Sequence, residues 1–292
     1  MSRRGWTLFL VVGFLWGIPY LFVKVAVDEL STAMIVFSRL AIGALLLIPL
    51  ALRNGALRAA LPYWRYLLFY AILEMVIPWS LITNSQRHLS SGVVALLVAT
   101  VPIWATFLAH HTGDSTAAHR TRIFGISIGL VGIFLIVGIE SISNFSNVSA
   151  LLQVLVASFS YAWAVNMITR KAVGVSGLAI NGIAMLISAL IFAPFAFFSR
   201  PEKLPSIEVS LSTLGLGILC SGLAFWAFFL LLEEIGAARA SLVVYPNTAV
   251  AVLLGILILG EPITLAIIIG LPLVLVGSYF ASRNPEPQLA VG

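Results

Sequence analysis

Ten apolar runs follow one another along the chain with only short polar connections between them, at residues 6–25, 32–52, 66–83, 92–110, 123–139, 151–169, 178–198, 211–232, 237–259 and 263–281. A hydrocarbon core about 30 Å thick is crossed by a helix of about 20 apolar residues. Runs of this length, repeated this often, dictate an all-α integral membrane protein with ten transmembrane helices. Their continuity excludes a β-barrel, whose strands alternate apolar and polar positions. Only 9% of the 292 residues are charged, against about 25% in a soluble domain. The connections carry turn chemistry, as in Arg53-Asn54-Gly55, Arg200-Pro201-Glu202 and Gly260-Glu261-Pro262. None is long enough to hold a soluble domain.

The net charge of +5 would suggest nucleic acid as the partner of a soluble chain, but here the basic residues sit between apolar runs and read as topology signals. With the N-terminus in the cytoplasm, Arg3, Arg4, Arg53, Arg58, Arg65, Arg120, Arg122, Arg170, Lys171, Arg239 and Arg283 fall inside. Only Lys24, Arg87, Arg200 and Lys203 fall at the outer side. Both termini are therefore expected in the cytoplasm, with the chain in the inner or plasma membrane. Arg3 and Arg4 precede a full-length span with no small-residue cleavage site, so they read as an anchor rather than an export signal. The single cysteine, Cys220, supports neither a disulfide framework nor a metal site. No Gly-Lys dipeptide is present, so there is no phosphate-binding loop and no built-in ATPase. No cofactor is expected.

One stretch is written twice. GVVALLVATVP at 92–102 and GAARASLVVYP at 236–246 share a Gly-to-Pro spacing at the start of an apolar run, and each run is trailed by a glycine-acid pair, Gly113-Asp114 and Gly260-Glu261. An offset of about 145 residues also pairs Trp16 with Tyr161, Ser31 with Ser176, Pro49 with Pro194 and Gly125 with Gly270. Five spans per half is an odd number, so a second copy must enter the membrane upside down. The expected architecture is two inverted five-helix repeats, 1–140 and 141–292. Secondary transporters are commonly built this way, with their sites near the midplane between the halves.

Trp16-Gly17, Ser38-Arg39-Leu40, the Gly-to-Pro fourth span, and Gly260-Glu261-Pro262 followed by Gly270 and Gly277 together resemble the drug/metabolite transporter superfamily, EamA type. Within it the chain is most similar to amino-acid and metabolite exporters. The resemblance covers nearly the whole chain and implies ten helices, inverted repeats, a central cavity and alternating access. Asp114-Ser115 stands where the second half has Glu261-Pro262, so the two ends need not behave alike.

Among single residues Glu74 is the sharpest signal, because a carboxylate near mid-span costs about 2.5 kcal/mol or more on insertion scales. Helical spacing puts Glu74, Pro78, Leu81, Ser85 and His88 close to one face. The carboxyl group reads as a partner for a substrate ammonium or as a proton-coupling group, or equally as a neutral packing group. Arg39 reads as a carboxylate site or, preferentially, as a snorkelling or interhelical contact. Trp and Tyr normally gather at membrane interfaces, so several at central depth call for a cavity or polar partners. Gln153, Ala157, Ser160 and Trp163 share a small and polar face of the sixth span, as do Ser241, Tyr245 and Thr248 of the ninth. The expected substrate-binding set is Trp16, Tyr20, Glu74, Trp79, Thr100, Trp104, Ser160, Trp163 and Tyr245, with hinges at Pro78, Pro102 and Pro246 and with Thr100 and Tyr245 facing one shared cavity. Interhelical packing is the competing reading for each residue alone. His110, His111 and His119 beside Asp114 read as a solvated loop rather than a metal site. The GxxxG pair Gly125 and Gly129 reads either as a dimer seam or as internal close packing, and the oligomeric state stays open.

The function these features favour is export of small metabolites, amino acids of aromatic or hydrophobic character or related amphiphiles, by a non-enzymatic secondary transporter. Its partners are a small-molecule substrate and the lipid bilayer, with a proton as the candidate coupling ion. The alternative is a membrane-embedded acyl or lipid transferase using His88 or His110.

Overall fold

The computed structural model describes residues 2–53, 55–111, 120–143 and 147–282. Asn54, Gly113, Asp114, Ser115, His119 and Arg283 lie outside these. The described residues fold into helices, with no strand among them. They are α1 (Arg3–Ala26), α2 (Thr32–Arg53), α3 (Ala56–Ser85), α4 (Ser91–His111), α5 (Arg120–Ser143), α6 (Asn147–Lys171), α7 (Gly177–Phe198), α8 (Ile207–Ile235), α9 (Ser241–Leu259) and α10 (Leu265–Ser282). Among the described residues eight of them, α1 to α4 and α6 to α9, are long and apolar enough to cross a membrane. The stretch Leu265–Phe280 of α10 is also apolar. The protein is thus a multi-pass membrane protein.

Side-chain contacts show which ends of the helices lie together. At one end of the bundle, the start of α1 meets the end of α8. The Ser2 hydroxyl accepts from the Gly5 N–H at 2.9 Å, capping α1, and Arg4 lies 3.8 Å from the Glu234 carboxylate. At the other end, Lys24 reaches the turn between α3 and α4, Ser31 shares a 2.8 Å hydrogen bond with Ser199, and the Ser206 N–H donates to Glu29 at 2.7 Å.

In lipid, helices associate through close packing rather than through a hydrophobic drive, and small residues let their backbones approach. One buried cluster gathers Leu40, Leu47, Met75, Ala164, Ala184 and Met185 from α2, α3, α6 and α7. A second gathers Leu96, Leu97, Ile136, Val154, Val252 and Val274 from α4, α5, α6, α9 and α10. Helices α5 and α10 pack closest at glycine. A Cβ placed on Gly277 would stand 2.4 Å from the Gly129 nitrogen and 2.8 Å from the Gly125 oxygen. The GxxxG pair therefore serves an internal seam.

The three prolines singled out as hinges each lie at an interruption. Pro78 has no N–H to offer the carbonyl four residues back, and its ring crowds that carbonyl. Just before it, α3 widens into a π-turn over Ile72–Val76, where the Ile77 N–H reaches back five residues to the Ile72 carbonyl. In α4 the helix breaks at Ala99-Thr100 and restarts at Val101, with Pro102 in the new first turn. In α9 a 3₁₀ turn over Ser241–Val243 precedes Pro246. A second π-turn, Ile218–Leu223, lies within α8. An offset of about 145 residues carries the first π-turn onto the second.

Candidate functional site

A cavity of about 320 Å³ lies inside the bundle, between residues of α1, α2, α3, α4, α6, α7, α8 and α9. Helix α1 supplies Trp16, Tyr20 and Val23, a face with i, i+4, i+7 spacing. Helix α3 supplies Tyr70, Glu74, Trp79, Ile82 and Thr83, followed by Gln86 just beyond its end. The step from Glu74 to Trp79 is five residues, one more than a regular turn brings onto a common face. The π-turn inserts that extra residue, and π-turns recur at functional sites. The expected stripe through Pro78, Leu81 and Ser85 is therefore displaced by one position, to Trp79, Ile82 and Gln86.

The polar groups of the cavity differ in how far they are satisfied. Tyr70 donates to Asn181 Oδ1 at 3.2 Å, and Asn181 donates to the Gly177 carbonyl at 3.0 Å. Gln86 donates to the Tyr20 carbonyl at 2.9 Å, while its own Oε1 is buried without a hydrogen-bond partner. Glu74 makes no hydrogen bond among the described residues, and its Oε2 is buried. Arg39 donates through Nε to the Ser221 hydroxyl at 2.9 Å and lies over Trp79, with Cζ 3.6 Å from the ring centroid. That contact is a cation–π interaction. Its two terminal nitrogens have no hydrogen-bond partner among the described residues. Arg39 and Glu74 line the same cavity without forming an ion pair. Apolar walls complete it, with Trp16 against Phe228 at 4.6 Å and against Phe225 at 5.4 Å between centroids.

Of the nine residues expected from sequence to bind substrate, Trp16, Tyr20, Glu74 and Trp79 line this cavity, and Thr100, Trp104, Ser160, Trp163 and Tyr245 do not. Thr100 is fully buried at the break in α4. Its hydroxyl donates to the Leu97 carbonyl at 2.6 Å and accepts from Trp104 Nε1 at 3.2 Å. Trp104 and Trp163 both pack edge-on against Phe159, and Trp163 is 49% exposed on the flank of the bundle. Ser160 donates to the Leu73 carbonyl at 2.7 Å, which ties the π-turn that carries Glu74. Tyr245 packs against Tyr279 of α10. On α6 it is Tyr161 and Val165 that face the cavity, and on α9 it is Asn247. His88 and His110 are exposed and do not line it.

Asn181, Asn247 and Gln86 carried the same signal as Glu74, a polar side chain within or at the edge of an apolar run. The interhelical reading of Arg39 is realised through Trp79 and Ser221, and the same residue also borders the cavity. Among the described residues no group of three or more His, Cys, Asp or Glu is placed to hold a metal ion.

Comparison with known proteins gives the arrangement its context. A solved structure described only as a crystal structure of a protein superposes with a TM-score of 0.67 at 16% identity, covering 96% of this chain and 97% of that one. The fold is therefore shared. The chain is 27% identical over 278 residues to the uncharacterized transporter YoaV of Bacillus subtilis, covering 92% of this chain and 93% of YoaV. It is 28% identical over 282 residues to the uncharacterized inner membrane transporter YedA of Escherichia coli K12, covering 93% and 90%. It is also 27% identical over 254 residues to the protein PagO of Salmonella typhimurium, covering 84% and 82%. The model of the EamA-like transporter family matches twice, at residues 3–138 and again at 148–283, and with both halves accounted for the chain belongs to that family.

Proposed function

We propose that this transporter carries small zwitterionic metabolites, amino acids with aromatic or apolar side chains or close relatives, outward across the inner or plasma membrane. The observation that carries the reading is a carboxyl group and a guanidinium fork in one aromatic-walled cavity, each with hydrogen-bonding capacity left open. A planar fork matches a carboxylate through two parallel N–H···O bonds. Glu74 offers the complementary acceptor for an ammonium group, and Trp16, Phe225 and Phe228 offer surface to an apolar side chain. An unsatisfied polar group at membrane depth is costly, and a zwitterion would relieve both ends at once. Outward transport rests on the resemblance to exporters.

In mechanism, we read ten spans in two inverted halves, 1–140 and 141–292, rocking about the cavity with both termini in the cytoplasm. The interruptions at Pro78, Pro102 and Pro246 let half-helices tilt while each half stays packed. A proton and a substrate ammonium would compete for the Glu74 carboxyl, which makes that group the coupling candidate. The test is counterflow of labelled amino acids into liposomes holding the purified protein, with and without a pH gradient, for wild type, Glu74→Gln and Arg39→Gln. Saturable counterflow lost in both variants supports the reading. Wild-type protein that moves no amino acid, or variants that move them unchanged, would remove it.

A further inference from the structure

The two charged groups of the cavity are each tied to a π-turn, and the ties differ in kind. In α3, Glu74 lies within the π-turn itself, while Ser160 and Ser188 donate to the Leu73 and Ala71 carbonyls at 2.7 and 3.4 Å. In α8 the π-turn Ile218–Leu223 holds no carboxylate. It holds Ser221, fully buried, whose hydroxyl donates to the Leu216 carbonyl five residues back at 2.9 Å. A serine hydroxyl has one proton to give. With that proton committed to Leu216, the oxygen is left only as an acceptor, and it faces Arg39 Nε at 2.9 Å.

We infer that Ser221 is a positioning residue that makes the cavity selective for substrates bearing a carboxylate. This inference rests on the zwitterion reading above. The guanidinium is fixed from two sides, by the Trp79 ring 3.6 Å below it and by Ser221 at Nε. Those two contacts set both the plane of the fork and its rotation within the plane. Trp79 alone fixes the plane and leaves the rotation free. Bidentate recognition needs both, since two parallel hydrogen bonds form only when the fork is aligned with the carboxylate. The π-turn carries Ser221, and the hydroxyl bond to the Leu216 carbonyl holds its oxygen toward Arg39.

The experiment compares three probes in the reconstituted full-length protein. Phenylalanine carries both charges, phenethylamine lacks the carboxylate and 3-phenylpropionate lacks the ammonium. In Ser221→Ala the KM for phenylalanine and for 3-phenylpropionate rises about tenfold, the size of one misaligned charge-assisted hydrogen bond, with the maximal rate held within about twofold. The KM for phenethylamine is unchanged. Ser221→Thr, which keeps the hydroxyl, restores phenylalanine. Phenethylamine transport doubles as the measure of intact folding. Should Ser221→Ala fail to assemble, the near-isosteric Ser221→Cys carries the same test, because a thiol is a poor acceptor for Nε. Equal loss of phenylalanine and phenethylamine, or no change in either, overturns the positioning role while leaving the zwitterion reading intact. Wild-type protein that takes none of the three probes overturns both.

Discussion

Replacing Glu74 with methionine should make the protein more stable and abolish its transport. The Glu74 side chain makes no hydrogen bond among the described residues and its Oε2 is buried. A buried polar atom left in that condition costs about 1–3 kcal/mol. Methionine is close to glutamate in length and carries no group to satisfy, and a volume-conserving swap costs less than about 1.5 kcal/mol. The π-turn does not depend on the side chain at 74, since it is tied through the Leu73 and Ala71 carbonyls by Ser160 and Ser188. The net gain is on the order of 1 kcal/mol, which on soluble-domain scaling raises the thermal midpoint by about 2–4 °C. The assay is thermal unfolding of detergent-purified protein followed by counterflow in liposomes. Glu74→Gln is the control, because it keeps the polar demand and should leave the midpoint nearly unchanged. A midpoint lowered by Glu74→Met would refute the reasoning, since the carboxyl group would then be contributing to the fold.

Three other outcomes follow from the geometry. The Glu261 carboxylate accepts from the Ser91 N–H and hydroxyl, both at 2.7 Å, at the N-terminus of α4. Glu261→Gln removes the charge there and should cost about 1–2 kcal/mol, seen as a lower thermal midpoint. A methyl group on Gly277 would meet only backbone of α5, so Gly277→Ala should cost about 1–3 kcal/mol or more. Gly92→Ala, whose nearest neighbour is the Ile267 Cδ1 at 3.4 Å, should cost far less in the same measurement. The Ser206 backbone N–H, and secondarily its hydroxyl, hold the Glu29 carboxyl below the usual carboxylate range. A lowered folded-state value means the contact contributes above the usual value and is lost as pH falls through the lowered one. The protection factor of the Ser206 amide, its exchange rate referred to the intrinsic rate at the same pH, should therefore hold at neutral pH and fall only below the ordinary carboxylate range.

The positions of the eight helices long and apolar enough to span were legible because they depend on run length alone. The helix ends were less so. The run at 66–83 underestimates α3, which starts at Ala56, because Arg58, Trp64 and Arg65 interrupt the apolar signal without interrupting the helix. The lining of the cavity was legible on α1, where Trp16 and Tyr20 keep regular spacing, and it was displaced on α3. A periodicity of 3.6 counts residues, whereas a π-turn adds one without changing composition. Pro78 was visible in the sequence and signalled an interruption, but nothing local says whether a proline will bend a helix or shift its register. On α6 the small and polar face containing Ser160 was real, yet its hydroxyl satisfies a backbone carbonyl freed beside Glu74, and Tyr161 next to it took the cavity. Both partners of Arg39, Trp79 and Ser221, are distant in sequence, so no spacing rule connects them.

The polar groups at the end of the bundle and those at its middle are treated in opposite ways. Lys24 donates to the Gln86 and Leu89 carbonyls at 2.6 and 3.0 Å, where α3 ends, and Arg87 donates to the Val27 and Leu30 carbonyls at 2.6 and 2.8 Å, where α1 ends. Glu261 takes the N–H groups where α4 begins. Cations sit at helix C-termini and an anion at an N-terminus, each matching the local dipole. Gly260, held at φ 65°, ends α9 in the left-handed conformation that turns Glu261 toward its cap. These bonds lie at an end of the bundle, so interfacial water can replace each of them when the segments part. Glu74 and Arg39 instead line the cavity with hydrogen-bonding capacity left open by the protein. In the proposed cycle, opening the end exchanges protein caps for water at little net cost. In the same proposed cycle a zwitterionic solute would bring its own charges to the middle, so that substrate would bias when the proposed halves move.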